Sequence, residues 1–138
     1  MSTEKFSLQV PSDIGVLDQV MSWFDSIQPA NIPIKVWLQS KLAIAEAFTN
    51  AVRHAHRNVQ GKLMVDMEVA FTDTSLEIRI WDFGPVFDLA SKIASLSSEV
   101  DQSSGGGRGL LILHKICDRL EYTRNPDQRN CLLMAKDF

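Results

Sequence analysis

Glu46, Asn50 and His54 are the first residues in the chain whose types and spacing suggest chemistry. They fall at i, i+4 and i+8 within LAIAEAFTNAVRH, Leu42 to His54, so on a helix they climb one side on neighbouring turns. From Leu42 to Val52 every residue except Glu46, Thr49 and Asn50 is Ala, Leu, Ile, Phe or Val. A carboxylate in such a helix is costly to desolvate unless a charge, an ion or ordered water meets it. Glu46 and Asn50 must therefore face something polar.

Two later stretches offer partners. Asp82 and Gly84 close an alternating run in which Leu76, Ile78 and Ile80 share one face. Parity puts Asp82 on that face, pointing inward at the strand end. A lone D-x-G fits a turn that begins at Asp82 at least as well. Further on, Gly105-Gly106-Gly107-Arg108-Gly109 runs into LLILHKI, a short helix with Leu110, Leu113 and Ile116 available to pack inward. Glycines before a helix let backbone N–H groups approach an anion, which the helix dipole favours. No Lys-Ser or Lys-Thr pair follows, so this is not a Walker A loop, and Leu110 leaves G-x-G-x-x-G incomplete. On its own the cluster fits a flexible hinge as well as a phosphate site. His54-x-His56 does not make a zinc site, because side chains two apart leave a helix on nearly opposite sides.

The elements that must position these residues follow from periodicity. Phe6, Leu8 and Val10 alternate in a first strand, and Pro11-Ser12-Asp13 breaks it and supplies an N-cap. Leu17, Val20, Met21, Phe24 and Ile27 define a first amphipathic helix. The second runs from about Ile34 to Arg57, with Leu38, Leu42, Ala45, Thr49 and Val52 as its expected core stripe and Trp37, Ile44 and Phe48 as apolar cover elsewhere. Past Val52 it turns basic, and at its end His56 and Arg57 complement the helix dipole. Leu63 to Phe71 and Leu76 to Asp82 form a hairpin around Thr72-Asp73-Thr74. Phe83 to about Gly107 loses periodicity, apart from one short helix expected at Asp88 to Leu96, and a loop of that length is functional or disordered. A last hairpin joins Leu120–Thr123 to Cys131–Lys136 through Asn125-Pro126-Asp127.

Composition narrows the class. A chain of 138 residues with 45% hydrophobic and 22% charged residues is ordinary for one globular domain. A net charge of −3 argues against direct nucleic-acid binding. No apolar run reaches the roughly 18 residues of a membrane span, and the N-terminus has no apolar signal core, so a cytoplasmic protein away from membranes is expected. Cys117 and Cys131 lack CxxC spacing and read as reduced core thiols.

The three polar stretches, in this order, resemble the N-box and the two glycine boxes of the Bergerat-fold (GHKL) ATPase superfamily. Within it, EAFTNAVRHA and the GPVFD that follows Asp82 look most like the anti-sigma-factor serine kinases. The resemblance spans nearly the whole chain. It implies an α+β two-layer sandwich, with a mixed, mostly antiparallel sheet and helices on one face. It also implies a single ATP-binding domain over residues 1–138, with a mobile lid at about 84–106.

Carried over position by position, Asn50 would hold a Mg²⁺ bridging the nucleotide phosphates, and Glu46 would act as general base on a serine hydroxyl or water. Asp82 would accept a hydrogen bond from the adenine amino group, with Gly84 allowing the base close. Gly105, Gly107, Gly109 and Leu110 would wrap the phosphates and Arg108 would neutralise charge there. Arg53 and His54 would line the pocket. Two departures stand out: Val86 replaces the second glycine of D-x-G-x-G, which bears on lid mobility, and Asn130-Cys131 replaces a Gly-Thr near the adenine. The implied function is an ATP- and Mg²⁺-dependent serine/threonine protein kinase, an anti-sigma-factor-like regulator acting on a STAS-type anti-sigma antagonist. A sigma factor and a second copy of the chain are the further family partners. The alternative is a nucleotide-binding or decayed interaction module of the same fold without kinase activity.

Overall fold

A computed structural model describes residues 4–55, 63–86, 88–98 and 108–138 of the chain. In order, the elements are β1 (Glu4–Pro11), a 3₁₀ turn (Ile14–Val16), α1 (Leu17–Ser26) and α2 (Ile34–Asn50), which continues as a π turn (Ala51–Ala55). There follow β2 (Met64–Phe71), β3 (Ser75–Asp82), α3 (Leu89–Ser98), α4 (Arg108–Ile116), β4 (Arg119–Arg124) and β5 (Asn130–Asp137).

The strands form one sheet in the order β1-β2-β3-β5-β4. Each pairing is antiparallel, so among the described residues the expected mixed sheet is an antiparallel one. Alternation assigns its faces. Val65, Met67, Val69, Leu76, Ile78, Ile80 and Met134 point to the buried side, where Val20, Phe24, Ile44, Phe48 and Leu113 of the helices meet them. The other side carries surface ion pairs such as Arg129–Asp66 and Arg79–Glu77. Half-buried surface pairs of this kind contribute about 0–1 kcal/mol each, so burial of the helical face holds the two layers together.

Local chemistry sets the element ends. Asp13 accepts a hydrogen bond from Gly15 N–H at 2.9 Å and opens the first helical segment, the N-cap its sequence implies. In the β2–β3 turn, Thr72 Oγ1 accepts from the amides of Thr74 and Ser75. The α3 helix starts within the expected Asp88–Leu96 stretch and runs two residues past it, and Asp88 caps it by accepting from Ser91 N–H at 3.1 Å.

The orientation of α2 overturns one expectation. Leu38 and Leu42, read as core-facing, are 55% and 43% exposed. The buried face is instead Trp37, Ser40, Ala43, Ile44, Ala47 and Phe48. Both stripes have helical period, and the larger side chains decide between them. Trp37 stacks on Phe24 of α1 with centroids 4.2 Å apart and rings 1° from parallel. Aromatic surface of that size outweighs two leucines. Ser40 lies in the core because its hydroxyl donates to Val36 O at 2.7 Å. After Asn50 the helix widens to the π turn, so the single rising line of Glu46, Asn50 and His54 holds only as far as Asn50. Residues 56–62, with His56 and Arg57, lie outside the described residues.

Candidate functional site

The polar residues gather at two places on the helical side of the sheet. The first is built from strand ends. Asp82 is the last residue of β3 and is 7% exposed, on the inward face that parity assigns it. It is therefore still a strand residue, and the turn beyond it starts from its side chain. Register sets Asn130 of β5 opposite Asp82, and Arg124 of β4 opposite Asn130. Three strands thus bring three polar side chains to one end of the sheet.

Hydrogen bonds then lock them together. Asp82 Oδ1 accepts from Gly84 N–H at 2.9 Å and from Asn130 Nδ2 at 2.9 Å. Asn130 Nδ2 also donates to Gly84 O at 2.7 Å. Arg124 Nη1 donates to Asn130 Oδ1 at 3.1 Å and to Gly84 O at 3.3 Å. Asn130 is 0% exposed. A buried amide left unpaired costs about 1–3 kcal/mol, whereas this one is satisfied at both its nitrogen and its oxygen. The network fixes the Asp82 carboxylate against the chain just beyond it, and it is Gly84's backbone N–H and C=O that take part.

Where the family resemblance expects Gly-Thr, Asn130 brings an amide into this network, donating to Asp82 Oδ1 and to Gly84 O. Cys131 lies opposite Trp81 and Thr123, on the other face of the sheet. Burial pushes its thiol pKa up, while Arg79 and Arg129 of that outer face pull it down. Counting alternate residues back along β5 from Leu132 and Met134 would have put Asn130 inward.

The second place lies between helices. Glu46 and Asn50 are half-buried on α2, one turn apart, and α4 packs across α2. Among the described residues the helix α4 begins at Arg108, so Gly109 stands in its first described turn. A Cβ placed on Gly109 would lie 2.7 Å from Glu46 Oε2 and 3.7 Å from Glu46 Cβ and Cδ. The Glu46 carboxylate is thus against the N-terminal turn of α4, where the positive end of the helix dipole favours an anion. Leu110 is buried and anchors that turn in the core.

The remaining residues divide by position. Arg53 is exposed in the π turn, and His54 follows it in the same turn. Arg108 opens α4. Gly105 and Gly107 lie outside the described residues. Val86 is exposed just beyond Gly84. Close by, α3 packs on α4, and hydrogen bonds from Ser91 hold the capping carboxyl of Asp88 below its usual pKa. No described helix is long and apolar enough to cross a membrane.

Comparison with known proteins agrees with this fold. Residues 10–136 match the histidine kinase-like ATPase domain family. The serine-protein kinase RsbW of Bacillus velezensis is 36% identical over 90 residues, covering 62% of this chain and 56% of its own length. The RsbW of Bacillus pumilus is 36% identical over 94 residues with the same coverage. That of Staphylococcus epidermidis is 30% identical over 111 residues, covering 77% of this chain and 64% of its own. The matched region spans a little over half the length of the two Bacillus relatives. Because the family match takes in α2, α4 and strands β2 to β4 whole, and with them both polar clusters, the chain belongs to the histidine kinase-like ATPase domain family, a GHKL-type ATPase fold.

Proposed function

We propose that the chain is an ATP-dependent serine/threonine protein kinase that transfers phosphate to a STAS-type anti-sigma antagonist and so acts as an anti-sigma-factor-like regulator. The observation that carries this reading is the contact between Glu46 and the first turn of α4, with Asn50 one turn along α2. That contact sets a carboxylate beside the helix N-terminus best suited to phosphates. The relatives named serine-protein kinases support the same chemistry.

In this reading Asp82 binds the adenine. Its Oδ2, the oxygen that neither Gly84 nor Asn130 engages, accepts from the exocyclic amino group, while Asn130 and Arg124 hold the carboxylate still. Gly84 leaves room for the base. Gly105, Gly107, Arg108 and the backbone of α4's first turn receive the phosphates, with Arg53 and His54 at the rim. The donor chemistry fits a hard divalent ion: Asn50 offers a neutral amide oxygen on a half-buried helix face, and Mg²⁺ takes few protein ligands beside phosphate oxygens. Bound there, Mg²⁺ would neutralise phosphate charge and orient the terminal phosphoryl group.

Glu46 takes the proton of the acceptor serine hydroxyl as its oxygen bonds to the terminal phosphorus. The bond to the ADP oxygen breaks, giving phosphoserine and ADP. A lid over residues 84–106, carrying α3, would close over the nucleotide. A sigma factor and a second copy of the chain are the further partners of this reading, and the cytoplasm its place.

Two measurements test it. Mg-ATP at about a hundredfold excess over Kd should stabilise the fold by about 2.7 kcal/mol, a rise in Tm of several degrees, and Asn50→Ala should abolish the rise. No shift at millimolar nucleotide overturns the ATP site. Labelled ATP should phosphorylate a purified STAS-domain protein, and Glu46→Ala should stop transfer while sparing nucleotide binding. Normal transfer by Glu46→Ala overturns its role as base.

A further inference from the structure

We propose that Gly109 is a positioning residue for phosphoryl transfer: the absence of a side chain there sets where the Glu46 carboxylate stands. The inference rests on the reading of Glu46 as the base and deepens it. The backbone of Gly109 belongs to the proposed phosphate cradle, and its missing side chain has a further task. Gly109 is the second residue of α4, with no left-handed backbone angle for glycine to relieve. Inside a helix, glycine is less favourable than alanine by about 0.8–1 kcal/mol. Neither conformational freedom nor helix stability explains it.

Clearance does. A Cβ at position 109 would stand 2.7 Å from Glu46 Oε2, closer than unbonded atoms tolerate, but at an ordinary 3.7 Å from Glu46 Cβ and Cδ. The conflict is therefore confined to one carboxylate oxygen at the end of a rotatable side chain. A methyl group would swing that oxygen aside and leave the packing of α4 on α2 intact. That carboxylate is the proposed proton acceptor, for which a displacement of about 1 Å lowers rate on the order of a hundredfold. Gly109→Ala should then be silent in stability and severe in chemistry.

The test is Gly109→Ala in the full chain, assayed with Mg-ATP and a purified STAS-domain protein. The variant should melt no lower than the parent and bind nucleotide within about twofold, while kcat falls roughly 10- to 100-fold. Glu46→Asp withdraws the carboxylate by one methylene, so in that background Gly109→Ala should cost less than about threefold of the remaining rate. In nucleotide-free protein labelled with ¹³C-glutamate, the Glu46 carboxyl resonance should move on Gly109→Ala.

The inference is overturned if the variant weakens nucleotide binding tenfold or more with kcat intact, the mark of a phosphate cradle. It is also overturned if the loss carries over undiminished into Glu46→Asp. Transfer that survives Glu46→Ala strikes the proposed base instead. The positioning of Glu46 by Gly109 is then decided by the carboxyl resonance alone, and an unmoved resonance overturns it.

Discussion

The two ends of the candidate site are built in different ways. At the Asp82 end, three strand termini present a carboxylate, an amide and a guanidinium tied by five hydrogen bonds of 2.7 to 3.3 Å. Each residue there is fixed by sheet register, so the geometry exists before any ligand arrives. At the Glu46 end, the groups stand on two helices and meet through one close approach, Glu46 against Gly109. In the proposed reading the first end would present a preorganised acceptor to a flat, rigid base, and the second would complete itself around charged phosphates. Preorganisation suits discrimination, since a fixed acceptor penalises any base that lacks the matching donor. The looser end suits a group that must be received and then passed on.

The largest effect should come from reversing the polarity of the rigid end. Asp82→Asn forces the new amide either to face the Gly84 and Asn130 donors with its own N–H₂ or to turn N–H₂ towards the adenine amino group. Either way a donor meets a donor, and nucleotide affinity should fall on the order of a hundredfold or more, as measured by calorimetry. Retained affinity would mean that the base is recognised elsewhere. Asn130→Ala comes next. It removes a buried, fully bonded amide and should lower folding stability by about 1–3 kcal/mol and weaken nucleotide binding on the order of tenfold. Asn50→Ala at the other end should leave stability nearly unchanged. If both asparagines cost the same in urea unfolding, the contrast between the two ends is wrong.

The unequal legibility of the two ends has a physical source. Glu46 and Asn50 could be read because i, i+4 spacing and an apolar surround are local properties. Asp82 could be read because strand parity is local too. Asn130 was missed as a partner because its meaning depends on register between β5 and two neighbours, one of them, β3, far away in sequence. The face of α2 was misread for a related reason. Periodicity reports that Leu38 and Leu42 form a stripe, but only the stack of Trp37 on Phe24 of another helix decides which stripe is buried. The π turn after Asn50 left no mark in the pattern of AVRHA. Gly109 was legible only as a member of a glycine-rich helix start, while its clearance for Glu46 appears only once α4 crosses α2.

The smallest effect should come from the cap of α3, and it tests whether this helix is held only locally. Asp88 is exposed and accepts from Ser91 N–H at 3.1 Å and Ser91 Oγ at 3.0 Å. The backbone bond from Ser91, then its hydroxyl, lowers the Asp88 pKa below the ordinary 3.8. A carboxyl whose pKa is depressed on folding stabilises the folded form above its unfolded value and loses that contribution as pH falls through its folded value. The cap should therefore be intact at neutral pH and fail only below about pH 3.8. In an acid titration followed by NMR, the Ser91 amide should shift with a midpoint under 3.8, and Asp88→Asn should abolish that shift. At pH 7 Asp88→Ala should speed amide exchange in α3 alone, with Tm changed by no more than about 1–2 °C. A fall in Tm as large as that of Asn130→Ala would show that α3 is tied to the rigid end after all.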